Sequence, residues 1–483
     1  MMQIDFLQEP ELEFGVDKHI DIRFGIMNYG TVDYSSPLAP KEIRLGIVGT
    51  NETIEGVSSW FEKCRNEIPA KESRQPNLFP KFPGFRLDIA FQSSMTLSDR
   101  LQRTIKAQVF SDLSTDKDKN RAISTAVDLF LEELDYLASS TKVDVLICAV
   151  PPALLDLTEA VGEQGDQPDE FSTFDNKINF HHLLKAKAMR LNIPVQLIIP
   201  STYDEAKRRR QKRKSNLMRK PQDEATRAWN LHTALYYKAK GIPWRLVRTF
   251  SEYATCYIGI SFYKTLDGSA LLTSVAQVFN ERGEGVIVRG GQAQISKEDR
   301  QVHLDYDNAY TLLNHALNVY KAEHKNLPAR VVIHKSSSYA KEEKDAFLQA
   351  SKSFQVDMVD LLNIDQSFTR LFRTGSYPPL RGSFLSLDEK NHILYTRGSV
   401  DFFQTYPGMY IPRSMIFKCE QTEQTPKFLA QEILALTKMN WNQTQFDGGD
   451  PITIRAARQV SGILKYIPSD ENAKLAPAYR FYM

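Results

Sequence analysis

Residues 222–246, "QDEATRAWNLHTALYYKAKGIPWRL", decide how the rest of the chain is read. A helix carrying Trp229, Asn230 and Leu231 leads into Tyr236, Tyr237 and Lys238, and a turn through Gly241, Pro243 and Trp244 stops it. The stretch stands between two halves of different order. Upstream, residues ~40 to 245 alternate short apolar strands with helical patterns: "EIRLGIVGT" (42–50), "KVDVLICAV" (142–150) and "IPVQLIIPS" (193–201) as strands, with "HHLLKAKAMRLN" as a helix. Near-continuous apolar strands suit a parallel sheet buried on both faces. Ligands of such sheets sit beyond the carboxyl ends of the strands, which makes the segment after Ser201 a candidate site. A basic run, "KRRRQKRK" (207–214), begins there. It is a phosphate-binding surface or simply a solvated face.

Downstream, "YATCYIGISFYK", "ALLTSVAQVFN" and "GEGVIVRGGQAQI" are strand candidates. "DNAYTLLNHALNVYKAEHK" then places Ala309, Leu313, Ala316, Leu317 and Tyr320 on one helical face. The strand "ARVVIHKSS", the helix "AKEEKDAFLQAS" and the strand "FQVDMVDLL" follow. Three strands, helix, strand, helix, strand is the order of an RNase H-like fold. The fold class read from both halves is α/β. "GIVGTNETIEG" carries Gly46, Gly49 and Gly56, but their spacing is not that of a dinucleotide-binding loop. "GEQGDQPDEFSTFDN" (162–176) reads as an acidic surface loop.

The chain has 483 residues, 42% of them apolar, enough for two or three packed domains. A net charge of +2 does not announce a nucleic-acid binder. Cys64, Cys148, Cys256 and Cys419 lie far apart and read as buried thiols, indicating neither a zinc site nor a disulfide framework. No run approaches the ~20 apolar residues that span a bilayer. The acidic start "MMQIDFLQEPELEF" lacks the order of a signal peptide, so a cytoplasmic location is expected.

The stretch 222–246 closely resembles the end of the MID domain of short prokaryotic Argonautes. "PARVVIHKSSSY", "LFRTGSYPPLRGSF" and "YTRGSVDFFQTYPGMYIPR" resemble successive blocks of their PIWI domain. The resemblance implies an N-terminal extension over 1–40, a Rossmann-like MID domain over 41–246 and an RNase H-like PIWI domain over 247–483. It also implies a pocket for the 5′ phosphate of a guide strand, formed by Tyr203 and Lys207 of "STYDEAK", Gln222 and Lys240. Tyr203 would stack on the first base, and the lysines would neutralise the phosphate. Each has a plainer reading: a surface aromatic, a member of the basic run, a loop glutamine, a cation at a helix C-terminus. In relatives the terminal carboxylate, here of Met483, helps hold a divalent cation between guide phosphates. Mg2+, with its preference for oxygen, is the implied cofactor. A terminal segment docked for stability alone is the alternative.

Slicing relatives hold two metal ions with clustered carboxylates. At the matching places this sequence has Ser261 after the "YIG" strand, Ser336 in "HKSSS" and Arg458 in the helix after "DPITI". A hydroxyl does not replace an anionic ligand and a guanidinium repels a dication, so no slicing is expected. Asp267 and Glu284 have no common focus as substitutes. The resemblance further implies a guide RNA, a single-stranded target DNA and a partner chain with an APAZ region bearing the effector, an NAD-degrading domain of TIR or sirtuin-like type or a nuclease. Guide–target pairing would switch the effector on and stop growth or kill the infected cell. Arg373, Arg381 and Arg397 are candidate contacts to the duplex backbone, or braces of loops through carboxylates. The alternatives are an active guided nuclease and an interaction scaffold indifferent to nucleic acid.

Overall fold

The computed structural model describes residues 3–155, 178–205, 222–247, 254–279, 285–371, 374, 378–406, 411–468 and 478–483. The acidic stretch 162–176, the basic run with Lys207, Glu284 and Arg373 lie outside them.

The first half is built on a parallel sheet in the order Ser94–Thr96, Glu42–Gly49, Val145–Ala149, Val195–Ile198, with Gln102–Thr104 also parallel to Glu42–Gly49. Val145–Ala149 is buried at every position, as its unbroken apolar run requires. Helices cover both faces. On one side Trp60 and Phe61 of the helix Asn51–Cys64 join a core with Trp229 and Tyr236. On the other, Phe130 and Leu131 of the helix Lys119–Ser140 pack with Phe110 and Phe180. Thr50 and Thr53 close a capping box that starts Asn51–Cys64 directly off the first strand. Gly49 and Gly56 serve packing here: a side chain at Gly49 would meet the carbonyl of Ala149 at 2.9 Å, and one at Gly56 would collide with the ring of Tyr203.

The second half is a nine-stranded sheet in the order Gln3–Phe6, Ser383–Ser386, Asn391–Leu394, Ser414–Gln421, Met358–Ser367, Arg330–Lys335, Thr255–Lys264, Leu271–Phe279, Gly285–Gln292. Thr255–Lys264, Leu271–Phe279 and Gly285–Gln292 form the expected antiparallel meander. The helix Tyr306–His324, the strand Arg330–Lys335, the helix Lys341–Ser353 and the strand Met358–Ser367 then follow, both strands joining in parallel. This is the RNase H-like order read from the sequence. Across the strand Thr255–Lys264 lies the helix Ile452–Leu464, so close that a side chain at Gly259 would collide with the carbonyl of Thr453.

The stretch 222–246 joins the halves. The indole of Trp229 donates to Lys81 O (2.9 Å), that of Trp244 to Lys438 O (3.1 Å), and that of Trp441 back to Trp244 O (3.2 Å). The first forty residues are woven into the same body. Gln3–Phe6 is the edge strand of the nine-stranded sheet, and Leu12–Glu13 pairs with Arg245–Leu246. Between them Glu9 accepts from Arg381 Nε (2.8 Å) and Lys438 Nζ (2.9 Å). Burial works against its charge, but the two cations outweigh burial and hold its carboxyl below the usual range. All four cysteines are free and buried. Among the described residues, no helix is long and apolar enough to cross a membrane.

Candidate functional site

The carboxyl ends of the parallel strands and the end of the Trp-Asn-Leu helix supply the first candidate site. Asp223 caps the helix Glu224–Lys238, accepting from the amide of Thr226 at 3.0 Å. Leu231, Ala234 and Leu235 face inward along it, and Lys238 follows them at the i+7, i+4 and i+3 spacings that share a helix face. Lys238 is accordingly buried, at 1% exposure, and its ammonium donates to the main-chain oxygen of Met483 at 3.0 Å. Burial lowers it to about 7. Lys240 lies past the helix in a left-handed conformation (φ 74°) and is exposed.

A further buried lysine comes from the helix Phe180–Ala188. Lys185 is 2% exposed, and its ammonium has no hydrogen-bond partner among the described residues. Burial, and then the charge of Lys238, hold it well below the ordinary lysine range. On the same helix His181 is kept neutral by burial and then by Lys185, His182 and Lys238. Burial lowers His182 to about 4. This helix docks onto Ile452–Leu464, where a side chain at Gly462 would stand 2.8 Å from the ring of His182. The cluster thus lies where the two halves meet.

Of the residues expected to form the pocket, Tyr203 ends the turn Pro200–Tyr203 after the strand Val195–Ile198. Its ring lies against Gly56, and its hydroxyl is buried without a hydrogen-bond partner among the described residues. Burial, then Glu52 and Asp204, keep the phenol protonated. Gln222 is exposed, and its amide oxygen accepts from Asn230 Nδ2 at 3.2 Å. Lys207 lies outside the described residues. The buried cation on this helix is Lys238 and not Lys240, and Lys185 was not anticipated. The signal for Lys238 was in the sequence, since the apolar spacing that buries Leu231 and Leu235 also buries it. Lys185 sits in "HHLLKAKAM" beside Lys187, which is exposed and paired with Asp128 (2.6 Å). Nothing local separates the two.

The cluster suits an anion. It presents buried ammonium groups, neutral imidazoles and one main-chain oxygen that already accepts from Lys238. Mg2+ takes oxygen ligands in octahedral array, and the oxygen recorded here is that of Met483, the residue whose carboxylate the resemblance assigns to the cation. Among the described residues, no group of three His, Cys, Asp or Glu is placed to hold a metal.

The second candidate site lies at the ends of the central strands of the large sheet. Ser336 N donates to Ile260 O at 3.2 Å, which sets Ser336 beside Ser261. Ser261 faces Ser274 across the meander, and the hydroxyl of Ser274 donates to Ala457 O at 2.9 Å, next to Arg458. The three expected positions therefore share one neighbourhood. Ser261 and Ser336 are buried, and Arg458 pairs with Asp450 at 2.7 Å. Beside them the ammonium of Lys335 donates to both oxygens of Glu343 (2.7 and 2.8 Å), to Ser338 O and to Val302 O. Burial lowers it to about 8 against the pull of Glu343. Asp267 is occupied by its own turn, accepting from the hydroxyls of Thr265 (2.6 Å) and Ser269 (2.8 Å).

Arg381 departs from the expected duplex contact. It is 2% exposed, and besides Glu9 its guanidinium donates to Thr396 O, to Leu434 O (3.1 Å) and to the hydroxyl of Thr437 (2.9 Å). It is the brace of the N-terminal segment. Arg397 is half-buried and donates to Asp447 O at 3.1 Å.

No family model and no curated protein matches the sequence. Solved structures do match its fold. Clostridium butyricum Argonaute bound to a guide DNA and a 19-mer target DNA aligns with a TM-score of 0.64 at 16% identity, over 97% of this chain and 53% of that one. Marinitoga piezophila Argonaute in complex with a 5′ OH guide RNA aligns at 0.56 and 12% identity, over 98% and 60%. Drosophila Piwi aligns at 0.55 and 10%, over 99% and 56%. The chain spans a little over half the length of these proteins. It has the α/β fold of their MID and RNase H-like PIWI domains, and its structural neighbours are Argonautes.

Proposed function

We propose that this chain is a guide-dependent nucleic-acid sensor that holds a 5′-phosphorylated guide RNA, pairs it with single-stranded target DNA and does not cut. The observation that carries the reading is the pair of buried ammonium groups, Lys185 and Lys238, where the two halves meet. Cations removed from water call for an anion, and a terminal phosphate supplies two charges at one point. The neighbours from Clostridium and Marinitoga are complexes with a guide, one of DNA and one of RNA with a 5′ hydroxyl. Of the two kinds of 5′ end, the buried lysines favour phosphate over hydroxyl. Phosphate contacts would give affinity and base pairing would give sequence.

In the RNase H-like centre, Ser261, Ser336 and Arg458 offer no anionic ligand, and the buried cation nearby is spent on Glu343. The outcome of target pairing then has to be chemistry on another chain. An APAZ-containing partner with an NAD-degrading or nuclease effector, acting in defence against invading DNA, is the assembly this reading implies. The deciding experiment compares binding of single-stranded RNA with and without its 5′ phosphate by wild-type protein and Lys238→Met. A phosphate preference that falls about tenfold or more in the variant supports the reading, as loss of one charge-assisted bond would give. Equal binding of both RNAs by wild-type protein rejects it in favour of a scaffold.

A further inference from the structure

Among the described residues, one rim of the nine-stranded sheet is open. At the far rim, Gly285–Gln292, the chain's own Ala478 bridges Val286. At the near rim, Gln3–Phe6 pairs with Ser383–Ser386 on its inner side and with nothing described on its outer side. The amide of Leu7 donates to Gly382 O at 2.9 Å. The antiparallel alternation that continues from this bond turns the main-chain groups of Gln3 and Asp5 inward and those of Ile4 and Phe6 outward. The side chains of Ile4 and Phe6 share one face and stand in water, at 67% and 51% exposure. Asp5 points to the other face, where it pairs with Lys427 at 3.4 Å. The strand has no lysine, proline or bulge of the kind that blunts the edges of sheets.

The spacing of these groups is its own complement. Two copies of Gln3–Phe6, antiparallel about a twofold axis at Asp5, set Ile4 of each against Phe6 of the other. Each such pair exchanges both of its N–H···O bonds, and each isoleucine packs on a phenylalanine, a β-branched and aromatic pair that favours a sheet. At the axis the two Asp5 carboxylates come side by side, each beside its own Lys427, so that two anions meet two cations. A register two residues away sets one outward residue against its twin and the other against a position beyond the strand. We propose that this rim is a self-association surface, on which a second copy of the chain adds its own Gln3–Phe6 and continues the large sheet across a twofold axis. The inference is independent of the guide-binding reading.

The test is sedimentation equilibrium of the full chain without nucleic acid. The mass is expected to climb from one chain toward two between about 1 and 100 μM, as suits a small interface. Ile4→Pro removes an outward N–H and no bond to Ser383–Ser386, so it is expected to associate about tenfold more weakly or less, at an unchanged unfolding midpoint. Cysteine variants read the register. Opposite residues of a non-hydrogen-bonded pair have Cα atoms about 4.5 Å apart, within reach of a disulfide. Asp5→Cys is therefore expected to give a covalent dimer on mild oxidation, and Ile4→Cys, offset from its twin, to give none. The native cysteines are buried and do not compete. Wild-type protein that stays monomeric to about 100 μM overturns the proposal and leaves the rim to a strand of another protein. So does a dimer undiminished in Ile4→Pro, or one that crosslinks at Ile4→Cys and not at Asp5→Cys. The crosslinks decide even where Ile4→Pro does not fold.

Discussion

A lysine with its ammonium in a dry interior is a sensor of its own ionisation. Lys238 sheds its proton as the pH rises through about 7, whereas an unfolded lysine holds it to 10.5. The folded, unliganded protein therefore binds fewer protons than the unfolded chain between these values, and its stability rises with pH across that window. Ligand binding has the opposite sense. A phosphate on the ammonium retains the proton, so the complex takes one up and affinity for 5′-phosphorylated RNA falls as the pH rises above about 7. His181, His182 and Lys185 face the same space, and Lys465 faces His182 from the end of Ile452–Leu464. Titration of binding from pH 6 to 9 checks the sign, with about one proton taken up at Lys238; an affinity flat over that range excludes Lys238 as a phosphate ligand. Lys240→Ala is expected to leave the phosphate preference within about twofold, because the exposed side chain can gain only a screened interaction. At this scale the sequence was partly legible. Tyr203, Ser261 and Ser336 could be placed from the strands that deliver them. Lys185 could not, since nothing in "HHLLKAKAM" separates it from the exposed Lys187.

Elements were the most legible scale, and where they failed the reason is physical. The meander and the two strand–helix pairs that follow it show in the sequence, because each is a long apolar or amphipathic run bounded by polar turns. The helix Lys119–Ser140 was overlooked although Ala122, Ile123, Ala126, Val127, Phe130 and Leu134 keep its period. Strand Gln3–Phe6 carries no such mark, for its partner lies at Ser383–Ser386 and a four-residue run is too short to announce it. Close approach of elements is a separate matter. Gly259 lets the helix Ile452–Leu464 lie on the strand Thr255–Lys264. Gly259→Val is expected to cost about 1–3 kcal/mol by overpacking, read as a lower urea midpoint at unchanged slope. A midpoint equal to wild type would show that the helix can move away at no cost.

For the whole molecule, the buried group Glu9, Arg381 and Lys438 ties the N-terminal segment to the large sheet. Arg381→Met leaves Glu9 short of a cation and is expected to destabilise by about 3–5 kcal/mol, measured by denaturant unfolding. Its guide affinity per folded molecule should be unchanged, and a selective loss of target binding at normal stability would restore Arg381 as a duplex contact. The reading of the RNase H-like centre is tested by incubating guide-loaded protein with a matched target in Mg2+ or Mn2+. Intact target is expected, and metal-dependent cleavage at one position would reject the non-cutting assignment.

The pairing of Gln3 with Ser386 has a consequence for how the protein is made. Its first strand leaves the ribosome long before its partner exists. At about 5–20 residues per second, roughly 20 to 75 s separate the two. Throughout that interval Ile4 and Phe6 have no sheet to join, and the carboxylate of Glu9 waits in water for both of its cations. The edge of the large sheet is therefore completed only after Ser386 has been made, and a nascent chain stalled before that point would display an unsealed strand edge to its surroundings.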